Sequence, residues 1–129
     1  MRTEPLLLDV QVDIGPEGDA EELTEVTRQV RRELLTLDIE TVRTPTAGDA
    51  PAGSKGLELA ALGALVVSVS RSQVLSSIVA TVRAWIARSP QQRSIRLELD
   101  GDVLELTGVS GKEQRRLTDE WLLRHGSRQ

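Results

Sequence analysis

Hydrophobic and polar positions alternate along the first segment of the chain. The apolar set is Leu6, Leu8, Val10, Val12 and Ile14, and the interleaved set is Leu7, Asp9, Gln11 and Asp13. A period of two is typical of a β-strand with one buried face. The glycines and proline of residues 15–18 then end this pattern.

The period changes to that of a helix after this break. Asp19 and Glu22 have the spacing of a capping box, with Asp in place of Ser or Thr. Apolar residues then recur every three or four positions, at Leu23, Val26, Val30, Leu34 and Leu37. Residues 39–43 are short and β-leaning, so strand, helix and strand together predict a right-handed parallel crossover.

A loop and two apolar segments follow. Residues 44–56 are rich in Pro, Gly and small residues, which predicts a mobile surface loop. Residues 57–69 are apolar on every side and predict a helix that is either buried or pressed against another molecule. Ser72 is in position to cap a further helix, and Ser89 and Pro90 end it. The apolar face of that helix is Val74, Leu75, Ile78, Val79, Val82, Trp85 and Ile86.

Asp100 and Gly101 predict a type I′ hairpin turn. Counting outward pairs Leu99 with Asp102, Leu97 with Leu104, and Ile95 with Leu106. The same register places Arg96 opposite Glu105 on the other face.

Ser110 and Glu113 form a second capping box before a last helix that contains Leu117 and Trp121. Residues 1–129 therefore predict one α+β domain in the order β-α-β-α-α-β-β-α. We expect a mixed four-stranded sheet with helices packed on it.

Composition excludes several classes of site. The chain has no cysteine and one histidine, so zinc sets and Ser-His-Asp triads are disfavoured. His125 is expected at a frayed helix C-terminus, where a basic residue interacts favourably with the helix dipole. Trp85 and Trp121 are the only aromatic residues, too few for base stacking, and no nucleic acid is expected as a partner. No catalytic residue, cofactor or metal is predicted.

Three other features bear on chemistry and location. Asp9 and Asp13 lie on one strand face and could bind Mg²⁺ or act as acid and base, although a solvated face explains them more simply. The apolar run before Arg71 spans about 13 residues, short of the ~20 that cross a bilayer, so no membrane span is predicted. The first ten residues lack the features of a signal peptide, which predicts a cytoplasmic protein.

Charge is distributed unevenly along the chain. Residues 1–54 contain twelve acidic and five basic side chains, whereas residues 55–129 contain eight and eleven. No acidic residue lies between Glu58 and Glu98, yet five arginines do: Arg71, Arg83, Arg88, Arg93 and Arg96. Such a split serves either a partner surface or charge balance within the fold.

The pattern from residue 56 onward resembles the effector-associated constant component family, first type, of bacterial conflict systems. The resemblance rests on four segments, GALVV at 63–67, VRAWI at 82–86, the hairpin at 95–108 and the helix at 113–121. It implies a small α+β adaptor that links a sensing or switching component to a variable effector. Such partners would be caspase-like peptidases, other hydrolases or nucleotide-dependent switch proteins. The resemblance assigns no catalytic residue.

We therefore expect a non-enzymatic adaptor, with a self-assembling homo-oligomeric scaffold as the alternative and a small enzyme using Asp9 and Asp13 also open. The predicted contact surface combines the apolar helix 57–69 with the exposed side of the helix at 72–88. Its candidate residues are Leu57, Leu62, Val66, Arg71, Arg83 and Arg88.

Overall fold

A computed structural model describes residues 5–44, 61–89, 93–108 and 111–125, which form five strands and three helices. In chain order they are β1 (Leu6–Asp13), α1 (Ala20–Leu34), β2 (Thr41–Arg43), β3 (Ala64–Val69), α2 (Val74–Arg88), β4 (Ser94–Leu99), β5 (Asp102–Thr107) and α3 (Lys112–His125). The α+β class predicted from the sequence is confirmed. The order of elements and the number of strands differ from the prediction.

The strands form one antiparallel sheet in the order β2-β3-β1-β4-β5. β1 and β2 run in the same direction, as in the predicted parallel crossover, but β3 lies between them. The predicted mixed four-stranded sheet is wrong, because the sheet has five strands and every neighbouring pair is antiparallel. β3 and β4 are likewise separated by β1. The first four strands and the first two helices therefore make two interleaved split β-α-β units.

The predicted helix over residues 57–69 is wrong for Ala64–Val69, which is strand β3. Leu65, Val67 and Val69 face the core, and none is more than 1% exposed. On the opposite face Val66 is half-buried and Ser68 is buried. Because Val66 is apolar like the core-facing residues on either side of it, the strand has no period of two, and its pattern matches that of a buried helix. Residues 57–60 lie outside the described part of the chain.

One face of the sheet makes the core with α1 and α2. The strands contribute mainly Leu8, Val10, Val12, Leu97, Leu104 and Leu106. The predicted α1 stripe is confirmed, since Leu23, Val26, Val30 and Leu34 are buried and Leu37 packs against them. Asp19 Oδ1 accepts a hydrogen bond from Glu22 N at 2.8 Å, as predicted for the helix cap. Because a cap of this kind fixes where the helix starts, it also sets which residues of α1 face the sheet.

The hairpin of β4 and β5 has every predicted pair, including Arg96 opposite Glu105. Asp100 and Gly101 both have positive φ, at 53° and 80°, as a type I′ turn requires. Helix α2 begins at Val74, and Gln73 before it has helical backbone angles and makes no capping hydrogen bond through its side chain, so the cap at Ser72 stays a prediction. Backbone carbonyls of the preceding turn already accept the amides of Val74 and Leu75. The proposed cap at Ser110 lies outside the described residues.

The opposite face of the sheet carries the interleaved positions of every strand. In β1 these are Leu7, Asp9, Gln11 and Asp13, and in β5 they are Val103, Glu105 and Thr107. We call this surface the open face of the sheet, since none of the three described helices packs on it. Leu7 and Val103 are 52% and 47% exposed there.

Gly63 joins β3 to β1 through a close backbone contact, in which Val12 N donates to Gly63 O at 2.8 Å. A Cβ at this position would lie 2.5 Å from Val12 O, a backbone atom that cannot move without disturbing β1. We expect Gly63→Ala to lower the free energy of unfolding by about 1–3 kcal/mol, measured by urea denaturation. Gly108→Ala is the control, because its Cβ would make an ordinary 3.7 Å contact with Ile86. Equal stability of the two variants would contradict this packing.

Candidate partner-binding site

Helix α2 has an exposed face made almost entirely of small side chains. Its exposed positions include Ser76, Ser77, Ala80, Ala84 and Ala87. Exposed helix faces in globular proteins usually carry charged residues. α2 contains no acidic residue, and its only charged residues are Arg83 and Arg88. A partner that packs on this face would therefore meet a smooth surface with few charged groups that must lose their hydration.

A groove of about 400 Å³ runs beside this face. It lies between α2, the end of β5 and the first turn of α3, and its lining includes Ala80, Arg83, Ala84, Ala87, Leu106 and Gly108. Gln114 forms part of the wall. Alanine and glycine leave the space open, since neither has a side chain long enough to fill it. We call this space the α2 groove.

Gln114 fixes the wall of the α2 groove that α3 supplies. Its Nε2 donates to Glu105 O at 2.8 Å, and its Oε1 accepts from Thr107 N at 3.2 Å. One side-chain amide thus makes the two hydrogen bonds that a further strand would make with β5. α3 is thereby held at a fixed position along β5, so the groove is part of the folded structure.

Arg83 is the one charged residue in the lining of the α2 groove. It is half-buried and forms no ion pair with any described residue. Glu113, the acidic residue in the first turn of α3, already pairs with Arg116 at 2.6 Å. A half-buried guanidinium without a counter-charge favours a carboxylate on whatever fills the groove.

The structure does not bring the other candidate residues to this groove. Arg88 is at the end of α2 and pairs with Glu33 at 3.5 Å. Arg71 precedes α2 and pairs with Asp38. Leu62 is 41% exposed just before β3, and Val66 lies on the open face of the sheet. Leu57 lies outside the described residues, so of the predicted set only Arg83 lines the α2 groove.

A second polar cluster holds the C-terminal end of α3 against the hairpin. Asp102 accepts from Arg124 Nε at 2.6 Å and contacts His125 Nε2 at 2.7 Å. The hydrogen bonds from Arg124 and then from His125 lower the pKa of the Asp102 carboxyl below its usual value. The expectation of a frayed His125 is wrong, since its side chain is only 10% exposed and its ring lies 5.0 Å from that of Trp121.

Asp9 and Asp13 are both exposed on the open face of the sheet. Residues four apart on a strand are separated by about 13 Å, which is too far to share one metal ion. Asp9 is the cross-strand neighbour of Glu98, whereas Asp13 Oδ1 accepts from Gly15 N at 2.8 Å and stabilises the turn after β1. Within the described ranges, no three His, Asp or Glu side chains are placed to hold a metal ion.

Comparisons with protein-family models, with curated proteins and with solved structures found no match to this chain. Among the described helices, none has both the length and the apolar character that a bilayer-spanning segment needs.

Proposed function

We propose that this chain is a non-enzymatic adaptor that binds a partner protein in the α2 groove. The observation that carries the proposal is Arg83, a half-buried arginine that forms no ion pair with any described residue and is the one charged residue in the lining of the groove. Arginine is among the residues that dominate the energetics of protein interfaces. An unpaired arginine beside apolar surface provides both affinity and orientation.

The lining of the groove indicates what its occupant presents. Ala80, Ala84 and Ala87 are exposed and small, so a partner segment can approach the α2 backbone closely. Leu106 supplies an apolar floor. A short amphipathic segment with an apolar anchor and a neighbouring Asp or Glu fits these features, in the manner of a helix or extended peptide bound in a groove.

The class of partner is proposed from the sequence resemblance. An effector-associated constant component would bind a caspase-like peptidase, another hydrolase or a nucleotide-dependent switch protein of the same conflict system. A small α+β domain of this size agrees with such a role. An adaptor needs a surface on which its partner can dock, and it needs no catalytic residues. The α2 groove is such a docking surface in this proposal.

The proposal is tested by quantitative affinity capture from the native host. Arg83→Glu should reduce recovery of the partner about tenfold or more, because it reverses the charge that faces the partner's carboxylate. Arg31→Glu is the matched control, since Arg31 is exposed on α1 and does not line the groove. Circular dichroism establishes that both variants are folded. Equal recovery with Arg83→Glu and wild type would refute the α2 groove as the binding site.

Self-assembly is a second candidate, supported by the open face of the sheet. Leu7 and Val103 expose apolar surface there, as interfaces between identical subunits do. Asp9 and Glu98 lie directly opposite each other on neighbouring strands of that face. Two such faces packed about a two-fold axis would bring these carboxylates together, at an electrostatic cost. Light scattering of the pure protein distinguishes the candidates, since a stable homo-oligomer would favour the scaffold.

A further inference from the structure

A second cavity, separate from the α2 groove, lies between α1 and the C-terminal end of α2. Its volume is about 360 Å³, and it is lined by Gln29, Arg32, Glu33, Trp85, Arg88 and Arg93, among others. Three of these residues are arginines, and Glu33 is the one acidic residue in the lining. The cavity therefore has an excess of positive charge in a partly enclosed space. We call it the arginine pocket.

Arg93 is the most informative residue of the arginine pocket. Its side chain is only 14% exposed, whereas that of Arg88 is 58% exposed. Its guanidinium lies over the Trp85 ring, 5.7 Å from the centroid. This packing places a cation away from water beside an aromatic face, where it is held in a fixed orientation.

The polar contacts of Arg93 are too few and too long for a charge buried to this extent. Nη2 is 3.8 Å from Glu22 Oε2, and Nη1 is 3.5 Å from Ser89 Oγ. Its Nε is buried and has no hydrogen-bond partner among the described residues. Good charge-assisted bonds of arginine to a carboxylate measure about 2.7–2.9 Å. A buried cation normally has close counter-charges, because removing it from water is costly.

The other two arginines of the pocket, Arg32 and Arg88, also stabilise the ends of their helices. Arg32 and Arg88 lie in the last turns of α1 and α2, where positive charge complements the helix dipole. Arg93 precedes β4, and its contact with Ser89 places its guanidinium beside the C-terminal end of α2 as well. The dipole does not satisfy its N–H groups, however, so Arg93 keeps hydrogen-bonding capacity for an anion in the arginine pocket.

We propose that the arginine pocket binds the phosphate group of a small phosphorylated molecule. Guanidinium groups match the oxygens of phosphate in pairs of parallel hydrogen bonds. Arg88 pairs with Glu33, and Arg93 reaches Glu22 only at 3.8 Å, so Arg32 and Arg93 supply most of the guanidinium donors for a ligand. A phosphate group has three oxygens that can accept from both side chains, whereas a carboxylate has two. The amide of Gln29 adds a neutral donor. The site goes beyond partner binding, since it lies apart from the groove that contains Arg83.

The experiment is an NMR titration of the folded protein with inorganic phosphate and, in separate arms, with adenosine monophosphate, acetate and chloride at equal ionic strength. The arginine Nε–Hε signals report the pocket directly. We expect saturable shifts of the Arg93 signal and of amides around Trp85 with phosphate, and weaker or no saturation with acetate and chloride. Stronger binding of adenosine monophosphate than of free phosphate would assign the source as a nucleotide.

Arg32→Gln and Arg31→Gln form the matched pair for this titration. Both lie on α1 and lose the same charge, but only Arg32 lines the arginine pocket. Phosphate affinity should fall about tenfold in Arg32→Gln and stay near wild type in Arg31→Gln. Linear, non-saturating shifts in wild type, or equal losses in the two variants, would overturn the proposal. Neither variant requires a change at Arg93, whose packing on Trp85 stabilises the fold.

Discussion

Replacing Trp121 by alanine should lower the free energy of unfolding by about 3–5 kcal/mol, one of the largest effects available in this chain. Trp121 is fully buried, and its Nε1 donates to Asp102 O at 3.1 Å. It is the main apolar anchor of α3, whose Gln114 covers the edge of β5. Loss of the indole would leave a cavity and remove its hydrogen bond to the hairpin. Urea denaturation followed by circular dichroism measures the change.

The control for this prediction is Leu123→Ala on the same helix. Leu123 is 67% exposed, and surface substitutions of this kind change stability by about 0.5 kcal/mol or less. Trp121→Phe should give an intermediate loss, because it keeps most of the volume and removes the hydrogen bond. Similar stabilities for Trp121→Ala and Leu123→Ala would mean that α3 is not anchored as described.

Leu65→Ala should destabilise the fold far more than Val66→Ala, although the two residues are adjacent. Leu65 is 1% exposed on the core face of β3, and truncating such a residue costs about 2–5 kcal/mol. Val66 is half-buried on the open face, so its truncation should cost about 1 kcal/mol or less. The comparison tests the strand directly, because successive residues of a strand point to opposite faces. Denaturant midpoints of the two variants provide the measurement.

Val67→Ala extends the same test by one position. Val67 is fully buried on the core face between Leu8 and Val42, so its loss should again be large. The predicted loss of unfolding free energy is therefore large for Leu65→Ala, small for Val66→Ala and large for Val67→Ala. Similar losses at all three positions would instead fit a segment surrounded evenly by core, as in the buried helix first expected there.

Local features of the fold were predictable from the sequence because their causes lie within a few residues. Asp100 and Gly101 determine the hairpin turn, and the turn then determines each pair of β4 and β5. Asp19 caps α1, and the apolar stripe behind it determines the buried face. In each case one short-range preference agrees with the burial pattern, so the prediction needs no knowledge of the rest of the chain.

The order of the sheet was not predictable in the same way. β3 inserts between β1 and β2, and that choice depends on contacts between residues more than fifty positions apart. The apolar run at Ala64–Val69 has no distinct period, so the sequence does not distinguish a strand with apolar residues on both faces from a buried helix. The cluster of Asp102, Arg124 and His125 likewise joins residues 22 and 23 positions apart without any repeating pattern.

The candidate site was predicted in part. The exposed side of α2 was expected to form the contact surface, and Arg83 was among the residues proposed. The α2 groove itself was not predictable, because its walls come from α2, β5 and the first turn of α3. Gln114 completes it through two hydrogen bonds to the edge of β5, and a single glutamine among the polar residues of a helix gives no sequence signal for that role.

Site-directed crosslinking in the native host tests the adaptor proposal most directly. The chain contains no cysteine, so Ala84→Cys and Leu7→Cys each introduce a single thiol for a photoreactive label. Residue 84 lies in the α2 groove, and residue 7 lies on the open face of the sheet. The account predicts that the label at position 84 joins the chain to a different protein and that the label at position 7 does not. Crosslinks from position 7 alone, or only between copies of this chain, would contradict it.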